Sequence, residues 1–271
     1  MPVAITLDEP PALLKLLAND VRWAVVSALT RSDYRVHELA RLASLPLNLV
    51  SYHLKKLRDE RLVRERRSGA DGRDVYYSLN HLRLNEMFFS AGRELNLPAS
   101  LNGAAKASHE QEARKDEKPL KVLFLCTHNS ARSQLAEGIL RTIGGDAVEV
   151  FSAGTEPSRV HPDAIRAAAT LGIDIGGQSS KHLNEFQGRK FDYVITVCDR
   201  ARESCPIFPG DPVQIHWSFP DPAAVEDPDE RLQAFLKTGH ELRTRVQYLL
   251  EIMEHDRRAK AHNRHTDDEE E

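Results

Sequence analysis

Apolar positions in the first third of the chain recur at helical spacing. From about residue 120 onward they gather into short continuous runs separated by helical stretches. The first pattern predicts helices over 11–17, 20–29 and 36–42. A turn follows at Ser44-Leu45-Pro46-Leu47-Asn48, then a helix over 49–57 whose apolar side is Val50, Leu54 and Leu57. Two short helices joined by a tight turn make a helix-turn-helix. Residues 62–67 and 73–79 alternate at strand period, and Ser68-Gly69-Ala70-Asp71-Gly72 between them is a hairpin turn. With an amphipathic helix over 81–95, the expected N-terminal fold is a winged helix-turn-helix, mainly α with a β-hairpin wing.

The second pattern places strands near 121–126, 147–152, 191–198 and 213–217, alternating with helices near 132–143, 161–171 and 229–254. That alternation predicts an α/β domain on a parallel four-stranded sheet. A length of 271 residues fits two domains. The expected division is 1–97 and 120–255, with a polar, alanine-rich linker over 98–119 and a disordered acidic tail over 256–271 that ends in Asp267-Asp268-Glu269-Glu270-Glu271.

Chemistry concentrates at the end of the first strand of the second pattern. Val122-Leu123-Phe124-Leu125-Cys126 runs into Thr127-His128-Asn129-Ser130-Ala131, then Arg132-Ser133 and a helix. A loop between a strand and a helix N-terminus can turn its N–H groups inward, and the helix adds its positive end. Thr127, His128, Asn129, Ser130, Ala131, Arg132 and Ser133 are therefore the candidate oxyanion cradle. Arg132 offers a planar fork to two oxygens, Ser133 a hydrogen bond to the Cys126 sulfur, and the field favours a thiolate nucleophile.

The chain has three cysteines, Cys126, Cys198 and Cys205. No leader and no long apolar run is visible, so a reducing, cytoplasmic location away from membranes is expected. Three cysteines there suggest chemistry or inert burial. Cys198 ends an apolar stretch, and Cys205 follows across the polar, potentially mobile Asp199-Arg200-Ala201-Arg202-Glu203-Ser204. A thiol on a mobile segment can exchange with another sulfur. Phe219-Pro220-Asp221-Pro222 restrains an acid, Asp221, that can protonate a leaving oxygen; an ordinary Asp-Pro turn reads as well.

Taken together, Cys126-Thr127-His128-Asn129-Ser130-Ala131-Arg132-Ser133, the Cys198/Cys205 pair and Asp221-Pro222 resemble the thioredoxin-coupled arsenate reductases built on the low-molecular-weight tyrosine phosphatase fold. The resemblance covers about 121–255. Phosphatases of this fold usually carry Ile-Cys before the loop arginine and often an aromatic after Asp-Pro, whereas this chain has Ser130-Ala131 and Ala223. The resemblance implies that Cys126 attacks arsenate held by the loop and Arg132, and that Asp221 protonates the departing oxygen. It implies further that Cys198 attacks the adduct, that Cys205 resolves the resulting disulfide, and that thioredoxin reduces the Cys198–Cys205 bond. No bound cofactor and no metal are implied. Some members hold potassium near the loop; Asn129, Glu137 and Ser152 match those ligands, but Lys181 replaces an aspartate, so its ammonium is expected to stand in for the ion, a plain surface lysine being the alternative.

Net charge is −4, which argues against a bulk polyanion binder. Locally the picture reverses: eight basic residues face four acidic ones between Lys55 and Arg73, over the helix end and the wing. That coincidence points to double-stranded DNA. Val36-His37-Glu38-Leu39-Ala40, Ser51-Tyr52-His53-Leu54-Lys55-Lys56-Leu57, Leu62-Val63 and Gly72-Arg73-Asp74-Val75-Tyr76-Tyr77 resemble the arsenic-repressor (ArsR/SmtB) regulators. The resemblance implies Asn48, Ser51, Tyr52 and His53 in the major groove of an operator. It places Lys55, Lys56, Arg67 and Arg73 on phosphates, and it implies a homodimer packed through the first and last helices of the domain. Arsenite-sensing members carry a cysteine pair before the recognition helix; this chain has none in that domain, and Asp33, His37 and Glu38 read as a solvated helix cap. Three functions remain open: a regulator fused to an arsenate reductase, to a tyrosine or small-ester phosphatase, or to a non-catalytic oxyanion or redox sensor.

Overall fold

The computed structural model describes residues 9–94 and 118–269, with side chains to residue 259. All of the expected linker except Lys118 and Pro119 lies outside the described residues. Among described residues two compact units form: 9–30, 34–65 and 77–94 make the first, and 31–33, 66–76 and 118–269 the second.

In the N-terminal part, α1 (Ala12–Leu17), α2 (Asp20–Arg31), β1 (Tyr34–Arg35), α3 (Val36–Ala43) and α4 (Leu47–Asp59) precede the hairpin β2 (Val63–Arg67) and β3 (Val75–Leu79), and α5 (His81–Glu94) follows. The three strands pair in the order β1-β3-β2. Ser44, in the left-handed region at φ 54°, ends α3 and makes the tight turn into α4. Val50, Leu54 and Leu57 from α4 pack with Leu39 of α3, Val25, Val26 and Leu29 of α2 and Leu84 and Met87 of α5. Glu38 closes its own helix start by accepting the Arg35 N–H at 2.8 Å. Asp33 is not a solvated cap: it is fully buried in the second unit, where Arg245 pairs with it at 2.9 Å.

The remainder is the expected α/β domain. β4 (Leu120–Cys126), β5 (Val148–Gly154), β6 (Tyr193–Thr196) and β7 (Val213–His216) form one parallel sheet in the order β5-β4-β6-β7. The helices α6 (Arg132–Gly144), α7 (Pro162–Thr170), α8 (Asp199–Glu203) and α9 (Pro228–Glu269) complete it. Val122, Leu123 and Phe124 on β4 and Val194 and Ile195 on β6 are buried as continuous runs. Leu135, Ile139 and Leu140 on α6 and Phe235, Leu242 and Val246 on α9 pack into the same core.

The polar segment after Cys198 forms a short helix. The last helix runs through Glu269, where the chain reads as a disordered tail from 256. No Gly or Pro interrupts 229–269 except Gly239, and i,i+4 pairs such as Arg258–Glu254 at 3.1 Å carry it forward. No helix among the described residues is long and apolar enough to cross a membrane.

Candidate active site

β4 is flanked on both sides, so Cys126 at its end lies beside Gly154 of β5, and Leu125 pairs with Thr196 just ahead of Cys198. Thr127–Ala131 then links β4 to α6. The loop carbonyls face outward: that of Thr127 accepts the Glu156 N–H at 2.9 Å, that of His128 the Ser158 N–H at 3.0 Å, and that of Ser130 the His161 N–H at 2.9 Å. The Asn129 carbonyl accepts from Ser180 Oγ at 2.6 Å and Gln134 Nε2 at 3.1 Å. In a trans peptide the N–H opposes the carbonyl, so the amides of His128, Asn129, Ser130 and Ala131 turn to the inner side. The Asn129 N–H marks that side by donating to Cys126 Sγ at 3.1 Å. Ser133 Oγ lies 2.9 Å from the same sulfur. The result is a concave nest of donors around a buried cysteine, which suits a tetrahedral oxyanion.

Asn129 shapes the nest rather than only lining it. Its φ is 43°, a left-handed conformation that asparagine tolerates. Its side chain is buried, donating to Ser133 Oγ at 2.9 Å and Ser152 Oγ at 2.8 Å and accepting from Gln134 Nε2 at 3.0 Å and the Lys181 N–H at 2.7 Å. Ser152 in turn bonds Glu137, which also meets Arg141 and, at 3.7 Å, Lys181 Nζ.

Arg132 is held on two sides. Nη1 donates to the Phe219 carbonyl at 3.1 Å, and Nη2 pairs with Asp221 at 3.0 Å. Among the described residues its buried Nε has no hydrogen-bond partner, a donor left over for an anion. Asp221 is fixed by accepting the Ala223 N–H at 3.2 Å, with Pro222 between them. All three cysteines are free thiols. Cys198 is buried, and Thr127 Oγ1 lies 3.4 Å from its sulfur. Burial pushes the Cys198 thiol up, against the pull of Arg132 and of the Thr127 and Ala201 hydrogen bonds. Burial likewise raises Cys205, whose Sγ lies 3.7 Å from the neighbouring Pro206 carbonyl.

Residues 121–259, just over half of the chain, match the model of the low molecular weight phosphotyrosine protein phosphatases. The chain belongs to that family. Residues 19–65 match the bacterial regulatory proteins of the arsR family, so a DNA-binding domain of that type is fused to a domain of the phosphatase fold. Among curated relatives, an arsenate reductase of Halalkalibacterium halodurans is 40% identical over 131 residues, 48% of this chain and 94% of that protein. One from Bacillus subtilis is 39% identical over 116 residues, 43% of this chain and 84% of that protein. A solved arsenate reductase in the phosphate binding state is 35% identical, covering 48% of this chain and 95% of its own, with a TM-score of 0.38.

Within the phosphatase-family domain, the structure brings Cys126, the loop, Arg132, Ser133 and Asp221 together, with Cys198 beside Thr127. Cys205 follows the C-terminal end of α8. In the DNA-binding half, Asn48, Ser51, Tyr52, Lys55 and Lys56 are exposed on α4, and Arg67 and Arg73 are exposed on the hairpin. His53 departs from expectation: it is buried, because it lies three residues after Val50 on the apolar side of α4. Burial also lowers its pKa. Sequence reasoning missed Gly154. A Cβ there would stand 2.5 Å from the Thr127 carbonyl and 2.8 Å from the Asn129 amide, so only glycine lets β5 pass the loop.

Proposed function

We propose that this chain is a DNA-binding regulator fused to an arsenate reductase working through a three-cysteine relay. The observation that carries the reading is Cys198, buried at the rim of the Cys126 nest with Thr127 Oγ1 3.4 Å from its sulfur, and a third free thiol, Cys205, one short helix further on. A phosphatase needs only the first of these thiols. The arsenate reductase relatives support the same choice.

Arsenate occupies the nest, with its oxygens on the loop amides and Arg132. The Cys126 thiolate attacks arsenic, a sulfur–arsenic bond forms, and one oxygen leaves as water with a proton from Asp221. Cys198 then attacks the Cys126 sulfur. The sulfur–sulfur bond forms, the sulfur–arsenic pair passes to arsenic, and arsenite departs. Cys205 attacks Cys198 and releases the Cys126 thiolate, leaving a Cys198–Cys205 disulfide for an external dithiol, thioredoxin, to reduce. Disulfide geometry requires close Cβ approach, so α8 rearranges in this step.

For the regulator half, Asn48, Ser51 and Tyr52 read operator bases and Lys55, Lys56, Arg67 and Arg73 contact phosphates. Trp23 of α2 and Leu82, Phe88 and Phe89 of α5 are each more than half exposed, which supports a homodimer of this domain. A reducing cytoplasm suits thiol chemistry of this kind. The relay is tested by mass spectrometry of a Cys205→Ser variant after one equivalent of arsenate: a Cys126–Cys198 disulfide is expected, and free thiols alone contradict it.

A further inference from the structure

Cys198 must hold its sulfur within reach of Cys126, yet its own side-chain contacts are weak. The Ala201 N–H and Thr127 Oγ1 each lie 3.4 Å away, and sulfur is only a weak hydrogen-bonding partner. The next residue is held far more firmly. Asp199 is 3% exposed. Its Oδ1 accepts from His216 Nε2 at 3.1 Å and Ser218 Oγ at 2.7 Å. Its Oδ2 accepts the Gly69 N–H at 2.7 Å and pairs with Arg66, both in the 66–76 segment of the same compact unit. Burial alone would raise this carboxyl. The bonds from His216, Gly69, Arg66 and Ser218 hold it well below the usual carboxylate range, so it is an anion.

The clamp closes around the cysteine. His216 ends β7; burial lowers its pKa, so the ring is neutral, and with Nε2–H given to Asp199 its Nδ1 accepts from Thr196 Oγ1 at 2.8 Å. Thr196 ends β6 and Asp199 begins α8. Two polar bridges through one imidazole therefore tie the residues on both sides of Val197-Cys198 to the edge of the sheet. Cys205, by contrast, is only partly buried, and Ile207 two residues on is 96% exposed.

We propose that Asp199, through His216 and Ser218, is a positioning residue that fixes Cys198 against Cys126 for the first sulfur–sulfur exchange, leaving Cys205 as the sulfur that travels in the second. This rests on the relay reading. A buried carboxylate costs free energy unless fully bonded, and it lies beside a thiol that must act as a nucleophile, where a negative charge is unhelpful. Holding the backbone of Cys198 is the role its contacts describe.

The test uses the full-length chain carrying Cys205→Ser, so that the first disulfide accumulates. After one equivalent of arsenate, the rate of Cys126–Cys198 disulfide formation is followed by quenched mass spectrometry. Separately, the alkylation rate of Cys126 by iodoacetamide and its protection by inorganic phosphate report the nest. Adding Asp199→Ala should slow disulfide formation by about a hundredfold, as displacement of a reacting group by an ångström does. Alkylation and phosphate protection should stay within about twofold of the parent. Asp199→Asn keeps an acceptor for His216 and Ser218 and should recover at least about tenfold of the loss. Disulfide formation at the parental rate in Asp199→Ala overturns the proposal. So does a loss of nest reactivity in step with disulfide formation in both variants, which would mark Asp199 as merely structural. If the Cys205→Ser parent itself forms no disulfide, the relay reading fails and takes the clamp with it.

Discussion

Gly154→Ala isolates the contribution of the nest geometry. The added Cβ would lie 2.5 Å from the Thr127 carbonyl oxygen, and real Cβ atoms essentially never come closer than 3.0 Å, so something must move by at least about half an ångström. Neither partner can retreat freely. The Thr127 carbonyl is bonded to the Glu156 N–H at 2.9 Å, and the Asn129 amide, 2.8 Å from the new carbon, is bonded to Cys126 Sγ at 3.1 Å. Gly154 itself is pinned by its pairing with Cys126 and by its N–H to the Lys181 carbonyl at 2.9 Å. A shift of about 1 Å costs on the order of a hundredfold in rate, so half of that predicts about tenfold weaker oxyanion binding and turnover. Overpacking adds about 1–3 kcal/mol of destabilisation. Phosphate affinity by calorimetry, read beside a thermal melt, separates the two effects. Affinity within twofold of wild type in a folded Gly154→Ala protein would refute the argument that this glycine exists to let the strand pass the loop.

Other outcomes follow from the same structure. Asn129→Ala removes a left-handed-tolerant residue and leaves buried partners in Ser133, Ser152, Gln134 and Lys181; denaturant unfolding should show a loss of about 3 kcal/mol, and a change under about 0.5 kcal/mol would contradict that role. Because burial raises the Cys205 thiol, its neutral form is favoured; alkylation near pH 7 should lag behind an exposed cysteine and climb only as pH passes above the ordinary thiol range. The stability gained from keeping that thiol neutral is present at low pH and is lost as pH rises through its folded value. Lys181 Nζ already stands by Glu137, so arsenate turnover should be equal in potassium and sodium chloride of matched ionic strength, and potassium stimulation would overturn the built-in cation. Lys56→Ala should weaken operator binding across sequences and lower the salt slope by about one, whereas Tyr52→Ala should change base preference.

The strand–loop–helix run was legible because its residues are contiguous: Cys126, the loop and Arg132 sit in one stretch whose apolar and helical patterns both register locally. Gly154 was not, since its role depends on parallel pairing with a strand almost thirty residues earlier, and a lone glycine at a strand end carries no local signal. Asn129 was legible as a loop residue but not as the buried hub that sets the loop's shape. His53 reads as a base contact from its motif, but its position relative to Val50 and Leu57 puts it on the apolar side of α4. The acidic end of the chain misled through composition, since the helix formers ahead of it, extended from a packed α9, outweigh its charge. The Asp199–His216–Ser218 cluster could not be anticipated, because β6 and β7 bring its members together only in the folded sheet.

Conversion of arsenate to arsenite by Cys126 and Cys198 together stands at the centre of the proposed relay. Its most direct test is arsenite formation from arsenate with thioredoxin, thioredoxin reductase and NADPH, beside Cys126→Ser and Cys198→Ser variants. Turnover in the wild type and its loss in both variants is the predicted result. A folded wild-type protein that binds oxyanion but forms no arsenite, or a Cys198→Ser variant that turns over at the wild-type rate, would contradict it.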